Sequence, residues 1–336
     1  MKAWQLQNNF GLENLNLVET KTRPLGPNDV LVRVKACSLN FRDLMVVKGQ
    51  YNPKLRFPLV PVSDGAGEVM AVGADVTDFA VNDKVAGIFS QEWMFGTSSP
   101  HMTSTTLGDP LDGMLTEQVV LKSHGLVKVP KYLSFAEAAC LPCAGVTAFN
   151  AMFCQANLTM GDTILIEGTG GVSLFALQFA KVMGLKSIVL SSSNDKLGRA
   201  RELGATHTIN YVEHPQWHKE VLSVTEGLGV DAVIEVGGGE TINQAISCVK
   251  PGGTILVIGI LTGIETRMNL IPVLMKNIRL QGIFVGAKSV FTSLNRMLEH
   301  SKIHPVIDRS FTFDEAKSAF THLESQKHFG KVVITM

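Results

Sequence analysis

Cysteine is scarce in this chain of 336 residues: Cys37, Cys140, Cys143, Cys154 and Cys248 are an odd set, too few for a disulfide framework at this length. A reducing compartment fits them. Net charge is missing too, because 30 Lys and Arg balance 30 Asp and Glu, so no overall field draws the protein toward nucleic acid or an anionic membrane. No apolar run approaches the roughly 18 residues of a membrane helix, and the opening MKAWQLQNNF lacks the apolar core of a secretory signal. The expected address is cytoplasmic. What the chain does have is 45% hydrophobic and 18% charged residues, the balance of an ordinary soluble globule. At roughly 150 residues per domain its length suggests two domains.

Cys140 and Cys143 form a C-x-x-C, but they lie in AEAACLPCAGVTAFNAMFC, a small-residue apolar stretch with no basic neighbour to favour a thiolate. No second C-x-x-C completes a four-sulfur metal site, so both read as core residues. His214 and His218, and likewise His300 and His304, have ligand spacing on a helix without a matching carboxylate, and read as surface residues.

The rhythm of the chain changes once. Up to about residue 130 it is strand-like: in VLVRVKACSLN, Val30, Val32 and Val34 alternate with Leu31, Arg33 and Lys35, the period of a half-buried strand. Further short apolar runs separated by turn residues suggest a mostly antiparallel β domain. Between Gln91 and Gly113 a long Ser, Thr and Gly-rich stretch, led by Trp93, Met94 and Phe95, reads as either disordered or a lid, and the lid, helping to shape a substrate pocket, is the expectation. After Gly161, continuous apolar runs such as TILIE, SIVL, VDAVIEV and TILVIGI alternate with helical segments, the pattern of parallel strands covered on both faces. The fold class is therefore α/β, a doubly wound parallel sheet joined to a β-rich domain. The expected division assigns residues 1–128 and 288–336 to the β-rich domain and 129–287 to the doubly wound one.

Gly168, Thr169, Gly170, Gly171 and Val172 follow the strand Ile164-Leu165-Ile166 and precede an amphipathic helix. Phosphate binding needs backbone amides at a helix N-terminus and no Cβ where a diphosphate touches the chain. Gly168 and Gly170 fill the first two places of a G-x-G-x-x-G fingerprint and Ser173 the third. An NAD-selective site places a carboxylate about 20 residues after the first glycine. Here that place reads Ser191-Ser192-Ser193-Asn194, with Lys196 and Arg199 following, so a 2′-phosphate, and hence NADP(H), is expected. Tyr211, after the third strand, is a candidate for stacking near the adenosine ribose-phosphate. Gly237 and Gly259 fall at strand ends and are expected to border the cofactor.

The stretches ACSLNFRDLMVVKGQY, PLVPVSDGAGEVMAVGADV, LPCAGVTAFNAM, GTGGVS and HFGKVVI, in this order, resemble the medium-chain dehydrogenase/reductase superfamily over nearly the whole chain. The resemblance implies a GroES-like catalytic domain enclosing a Rossmann domain, with nicotinamide between them and Phe284 and Val285, at the end of the sixth strand, lining its carboxamide side. In the zinc-dependent members a Cys, a His from a G-H-E motif and a second Cys hold the metal; by alignment these places read Asn40, Ser63 and Cys143, with Asp64 beside them. The four cysteines of a structural zinc loop are absent from Gln91 to Gly113. The departures resemble the zinc-free quinone oxidoreductase and enoyl reductase branch, in which N-x-x-D followed by G-x-Y places an Asn and a Tyr at the nicotinamide; here these are Asn40, Asp43 and Tyr51.

The implied function is an NADPH-dependent, zinc-independent reduction of a quinone or α,β-unsaturated carbonyl. A phenol keeps its proton at neutral pH, so Tyr51, helped by Asn40, can donate to oxygen that gains charge as hydride arrives. Two other readings stand beside it, a zinc-dependent alcohol dehydrogenase and an NADPH-binding protein with vestigial catalysis. The strand Ile278 to Val285 would end the sheet, and an apolar edge invites its twin, so a homodimer is expected, with a small molecule as substrate.

Overall fold

The computed structural model describes residues 1–336 and divides them into two compact units, Met1–Val146 with Gly286–Met336, and Thr147–Val285. The first division falls at Val146 rather than after residue 128. The helix Phe135–Ala139 packs on the strands Asp29–Leu39 and Asp64–Val72, which draws the Cys140–Cys143 segment into the first unit. No helix is long and apolar enough to cross a membrane.

The first unit is built on a seven-stranded sheet in which the long strand Asp29–Leu39 is the hub. Its whole length pairs antiparallel with Asp64–Val72, its N-terminal half with Gln118–Lys122, and its C-terminal end with Lys331–Thr335. The alternating Val30, Val32 and Val34 are all buried in a core shared with Trp4, Leu39, Leu115, Phe320 and Val332, which is why the period-two reading holds. Register decides which polar groups meet. Val332 lies opposite Leu39 and Asp64 opposite Ser38, so one end of the sheet gathers Asn40, Asp64 and Lys331 from three distant stretches of sequence.

In the segment Gln91 to Gly113, a short helix, Pro100–Thr103, is capped by the Ser99 hydroxyl, and the Arg42 guanidinium donates to the carbonyls of Leu107 at 2.7 Å and Asp109 at 2.6 Å. At its start the Trp93 carbonyl accepts from the Lys288 amide at 2.8 Å, so the segment is fastened to the first unit at both ends.

The second unit is a six-stranded parallel sheet. Its spatial order runs His207–Asn210, Lys186–Ser191, Thr163–Glu167, Val230–Glu235, Val249–Val257 and Arg279–Gly282, the doubly wound arrangement. Ile164, Leu165, Ile166, Val233, Ile234, Ile255 and Leu256 are fully buried, as strands covered on both faces require. The helix expected from Asn194 to Gly204 runs Asn194–Glu202, with Gly204 at φ +108 just beyond it. The edge strand is shorter than its apolar text suggests. Arg279–Gly282 stops before Phe284 and Val285, because Val285 takes φ +41 and its carbonyl turns to the Asn150 side-chain amide at 2.8 Å, neither compatible with a continuing ladder.

Candidate functional site

The chain reverses in strand order between Thr163–Glu167 and Val230–Glu235, and at the carboxyl ends of these two strands open α/β sheets bind ligands. Gly168 follows the first at φ +71, which a side chain would strain. Gly170 is different: its φ of −79 suits any residue, and a Cβ there would meet nothing within 4 Å. Its bareness serves no contact of the protein itself. Behind it begins the helix Gly171–Met183, whose first amides lack intrahelical partners and converge on that space. Ser173, at the third fingerprint place, is buried and donates its hydroxyl to the Glu167 carbonyl at 2.7 Å, which locks the helix onto the strand end. Thr169 is buried between them. These residues fit a dinucleotide diphosphate. Gly237 and Gly259 are bare for another reason: a Cβ on either would lie 2.3 Å or less from Thr241 Oγ1 or the Val236 carbonyl, so the protein's own packing excludes it.

At the end of the second strand Ser191 is buried and Ser192 exposed, and the Tyr211 amide donates to the Ser191 carbonyl at 3.1 Å, so pairing brings the candidate adenosine residues together. Ser193 caps the next helix, accepting from the Lys196 amide. A further residue joins them that no motif singles out. The Glu213 carboxylate accepts from the side-chain amides of Asn194 at 2.6 Å and Asn210 at 3.1 Å, which fixes it beside Tyr211. Its only signal in the sequence is an acid two places after that tyrosine.

Two acids lie beneath the glycine turns. Glu167 and Glu235 end the two switch-point strands and are both buried, though neither has a cationic partner. Glu235 Oε1 accepts from the amides of Gly237 and Gly238, each at 2.8 Å, and from the Thr241 hydroxyl at 2.6 Å. Glu167 Oε2 accepts weakly from the Val236 and Gly237 amides at 3.3 Å, and the Glu167 carboxyl shares a hydrogen bond with that of Glu235. Burial, then the facing Glu235, pushes the Glu167 carboxyl well above the usual carboxylate range. Glu167 therefore holds its proton at pH values where an exposed carboxyl has lost it.

In the first unit, Asn40 ends the hub strand and opens the helix Phe41–Val47, where Asp43 accepts from the Asn40 amide at 2.9 Å and from the Ser63 amide at 3.1 Å. Asp43 is thus a structural acceptor. Val62 precedes Ser63 at φ +76, a conformation costly for a β-branched residue. In the G-H-E motif that place is glycine. Its carbonyl is held by the Met114 amide at 2.7 Å, and the twist turns Ser63 and Asp64 together. Asp64 accepts from the Ser63 hydroxyl at 2.7 Å and the Cys143 amide at 3.0 Å. Burial raises its pKa to about 6 against the opposing pull of Lys331. Lys331 is itself buried, 3% exposed, and donates to the Leu39 carbonyl at 2.6 Å and to Asn40 Oδ1 at 2.5 Å. Burial, with the Asp64 charge, pushes the Cys143 thiol far up, away from thiolate.

That donor set does not fit catalytic zinc, which takes three protein ligands from Cys, His and carboxylate. The aligned places offer an amide, a hydroxyl and a single thiol, beside an ammonium group that a dication would repel. No group of three or more His, Cys, Asp or Glu is arranged to hold a metal. Tyr51 projects nearby in sequence, 39% exposed, with the Arg42 guanidinium 4.9 Å from its ring centre. Trp93 and Phe95 part company: the first is buried with its indole N–H on the Gly96 carbonyl at 3.0 Å, the second is 74% exposed, and Met94 lies between these extremes.

Residues 26–131 match the alcohol dehydrogenase GroES-like domain and residues 171–300 the zinc-binding dehydrogenase family. A zinc-type alcohol dehydrogenase-like protein of Schizosaccharomyces pombe is 45% identical, over 92% of this chain and 91% of that one. The crystal structure of an NAD-dependent alcohol dehydrogenase is 33% identical with a TM-score of 0.92, each chain covered completely. A quinone oxidoreductase from Pseudomonas syringae pv. Tomato DC3000 is 29% identical with a TM-score of 0.84, covering 100% of this chain and 99% of that one. With the diphosphate cradle at the switch point of one unit and the polar cluster at the sheet end of the other, the chain belongs to the medium-chain dehydrogenase/reductase superfamily, in its quinone oxidoreductase-like branch, and is an NAD(P)H-dependent oxidoreductase.

Proposed function

We propose that this oxidoreductase uses NADPH to reduce a small quinone or α,β-unsaturated carbonyl without zinc. The observation that carries the reading is the cluster in which Asn40 and Ser63, at two of the three places where zinc-type relatives would need metal ligands, are hydrogen-bonded to the buried Lys331 and Asp64. A bound reduced nicotinamide supplies the hydride. The side chains of this chain receive the consequence: as the acceptor's electron pair moves onto its carbonyl or quinone oxygen, Tyr51 O–H and an Asn40 N–H stabilise the charge, and Tyr51 yields its proton.

The test is stopped-flow oxidation of NADPH by a panel of quinones and enones, with zinc content measured on the same protein. Wild type is expected to turn over unaffected by chelators, and Tyr51→Phe to lose about tenfold to a hundredfold in single-turnover rate. Full rates in Tyr51→Phe remove Tyr51 from the reaction; stoichiometric zinc whose removal and return switch the activity off and on favours the alcohol dehydrogenase reading. NADPH binding with no turnover on any acceptor favours vestigial catalysis.

The NADPH preference rests on Ser191 and Ser192 at the strand end, where no strand carboxylate would repel a 2′-phosphate, and on Lys196 and Arg199 in the helix that follows. Ser192→Asp is expected to weaken NADPH binding by about tenfold or more and leave NADH within about threefold, read by titration of cofactor fluorescence. Equal wild-type affinity for the two nucleotides contradicts the preference.

A homodimer belongs to the same reading. The edge strand Arg279–Gly282 is flanked by the helix Leu270–Met275, whose Leu270, Ile271, Leu274 and Met275 are largely exposed. Sedimentation is expected to give twice the chain mass, and Leu274→Lys to return it to one.

A further inference from the structure

The lysine in the closing strand is the feature that the proposed reduction chemistry leaves unused. Taking an ammonium out of water costs several kcal/mol unless its hydrogen bonds are replaced. In Lys331 two are replaced, by the Leu39 carbonyl and by Asn40 Oδ1. An ammonium only donates, so it must meet the oxygen of the Asn40 amide and not the nitrogen. That choice fixes the other half of the group: Nδ2 turns away from Lys331, toward Ser63 Oγ at 3.4 Å and the Asp64 carboxylate, long contacts that an incoming oxygen can replace. Ser63 in turn is oriented by Asp64, to which its hydroxyl donates, so it cannot push the amide back.

We propose that Lys331 is a positioning residue that holds the Asn40 side chain with its N–H group as the only face available to an acceptor oxygen, and whose charge, drawn onto Oδ1, sharpens that N–H as a donor. This rests on the proposed role of Asn40 in receiving charge from a conjugated carbonyl or quinone. Without Lys331 the Asn40 oxygen loses its ammonium partner, and a flipped amide would present oxygen to oxygen. With Lys331 in place the flip would set two donors against each other beside a buried charge, so the site selects acceptors whose oxygen becomes negative.

The experiment is a double-mutant cycle on single-turnover reduction of a quinone by bound NADPH, using the full chain, with Asn40→Ala, Lys331→Met and the two combined. If Lys331 acts through Asn40, each single variant loses about thirtyfold to a hundredfold in rate, the double loses no more than the larger single, and NADPH dissociation constants stay within about threefold. Losses that multiply in the double variant show Lys331 acting apart from Asn40 and overturn the proposal. A full rate in Lys331→Met beside a slow Asn40→Ala overturns it alone; a full rate in Asn40→Ala overturns the role of Asn40 as well. Should Lys331→Met fail to fold, Asn40→Asp decides: its carboxylate pairs with Lys331 and keeps the fold, but offers no donor, so the rate must fall to the Asn40→Ala level. Retention of more than about a third of the rate in Asn40→Asp overturns the proposal.

Discussion

A Gly170→Val protein is expected to fold and melt like wild type while losing about a hundredfold or more in NADPH affinity. The two halves of this outcome come from separate facts. The backbone at Gly170 is extended, with φ −79 and ψ −173, so a β-branched residue adopts it without strain. The Cβ direction opens on empty space, so no neighbour need move. Stability should then stay within about 1 kcal/mol, the range of substitutions that touch nothing. What the isopropyl group does touch is the place where a diphosphate would lie against the first amides of the helix Gly171–Met183, and displacing it by even one bond length removes several charge-assisted hydrogen bonds together. Gly259→Val provides the contrast, because its Cβ would lie 2.2 Å from the Val236 carbonyl and the loss there should be of folding. Isothermal titration and thermal melting on the same samples separate the cases; a Gly170→Val protein that still binds NADPH tightly would place the diphosphate elsewhere.

Glu167→Gln should make the protein more stable in mild alkali. Because the folded-state pKa of Glu167 is raised, the folded chain holds a proton that the unfolded chain has released, and stability falls as pH climbs from the unfolded value of about 4.3 through the folded one. Glutamine keeps the neutral shape at every pH. Its carbonyl can accept from the Val236 and Gly237 amides, and its NH₂ can donate to Glu235 in place of the carboxyl proton. A tenfold change in proton affinity corresponds to about 1.4 kcal/mol, and a kcal/mol moves the melting point of a domain this size by about 2–4 °C. A rise on the order of 3 °C at pH 8 is expected, shrinking to nothing near pH 4.5. Equal destabilisation at both pH values would mean that folding does not raise the proton affinity of Glu167.

The parts of the molecule that could be read from the letters are those in which neighbours in sequence are neighbours in space. The run Ile164 to Ile166, the glycine turn after it and the amphipathic helix beyond are one βα unit, and strand, loop and helix signals agree there. The end of the edge strand misled because IRLQGIFVG is apolar throughout, whereas the backbone of Val285 and the Asn150 amide set the true stop. Glu167 and Glu235 each close an apolar run, TILIE and VDAVIE, and that much was visible; that they face one another depends on the first and fourth strands lying side by side. Lys331 stood in plain sight within HFGKVVI as a charge at the head of an apolar strand. Its partner is set by strand register across 291 residues, which no local pattern encodes. Val62 carried the faintest signal, a branched side chain in a conformation that favours glycine.

The pairing of Val332 with Leu39 also orders events in time. On a ribosome the hub strand emerges long before Lys331, and until that lysine arrives Asp64 lacks the cation whose pull opposes its burial, while Asp43 already has Arg42 at 3.6 Å. Closing so large a loop is slow compared with local hairpin formation. The nascent first unit therefore cannot complete this polar cluster piecemeal: the second unit can finish folding as an inserted lobe while its host still waits for the downstream strand.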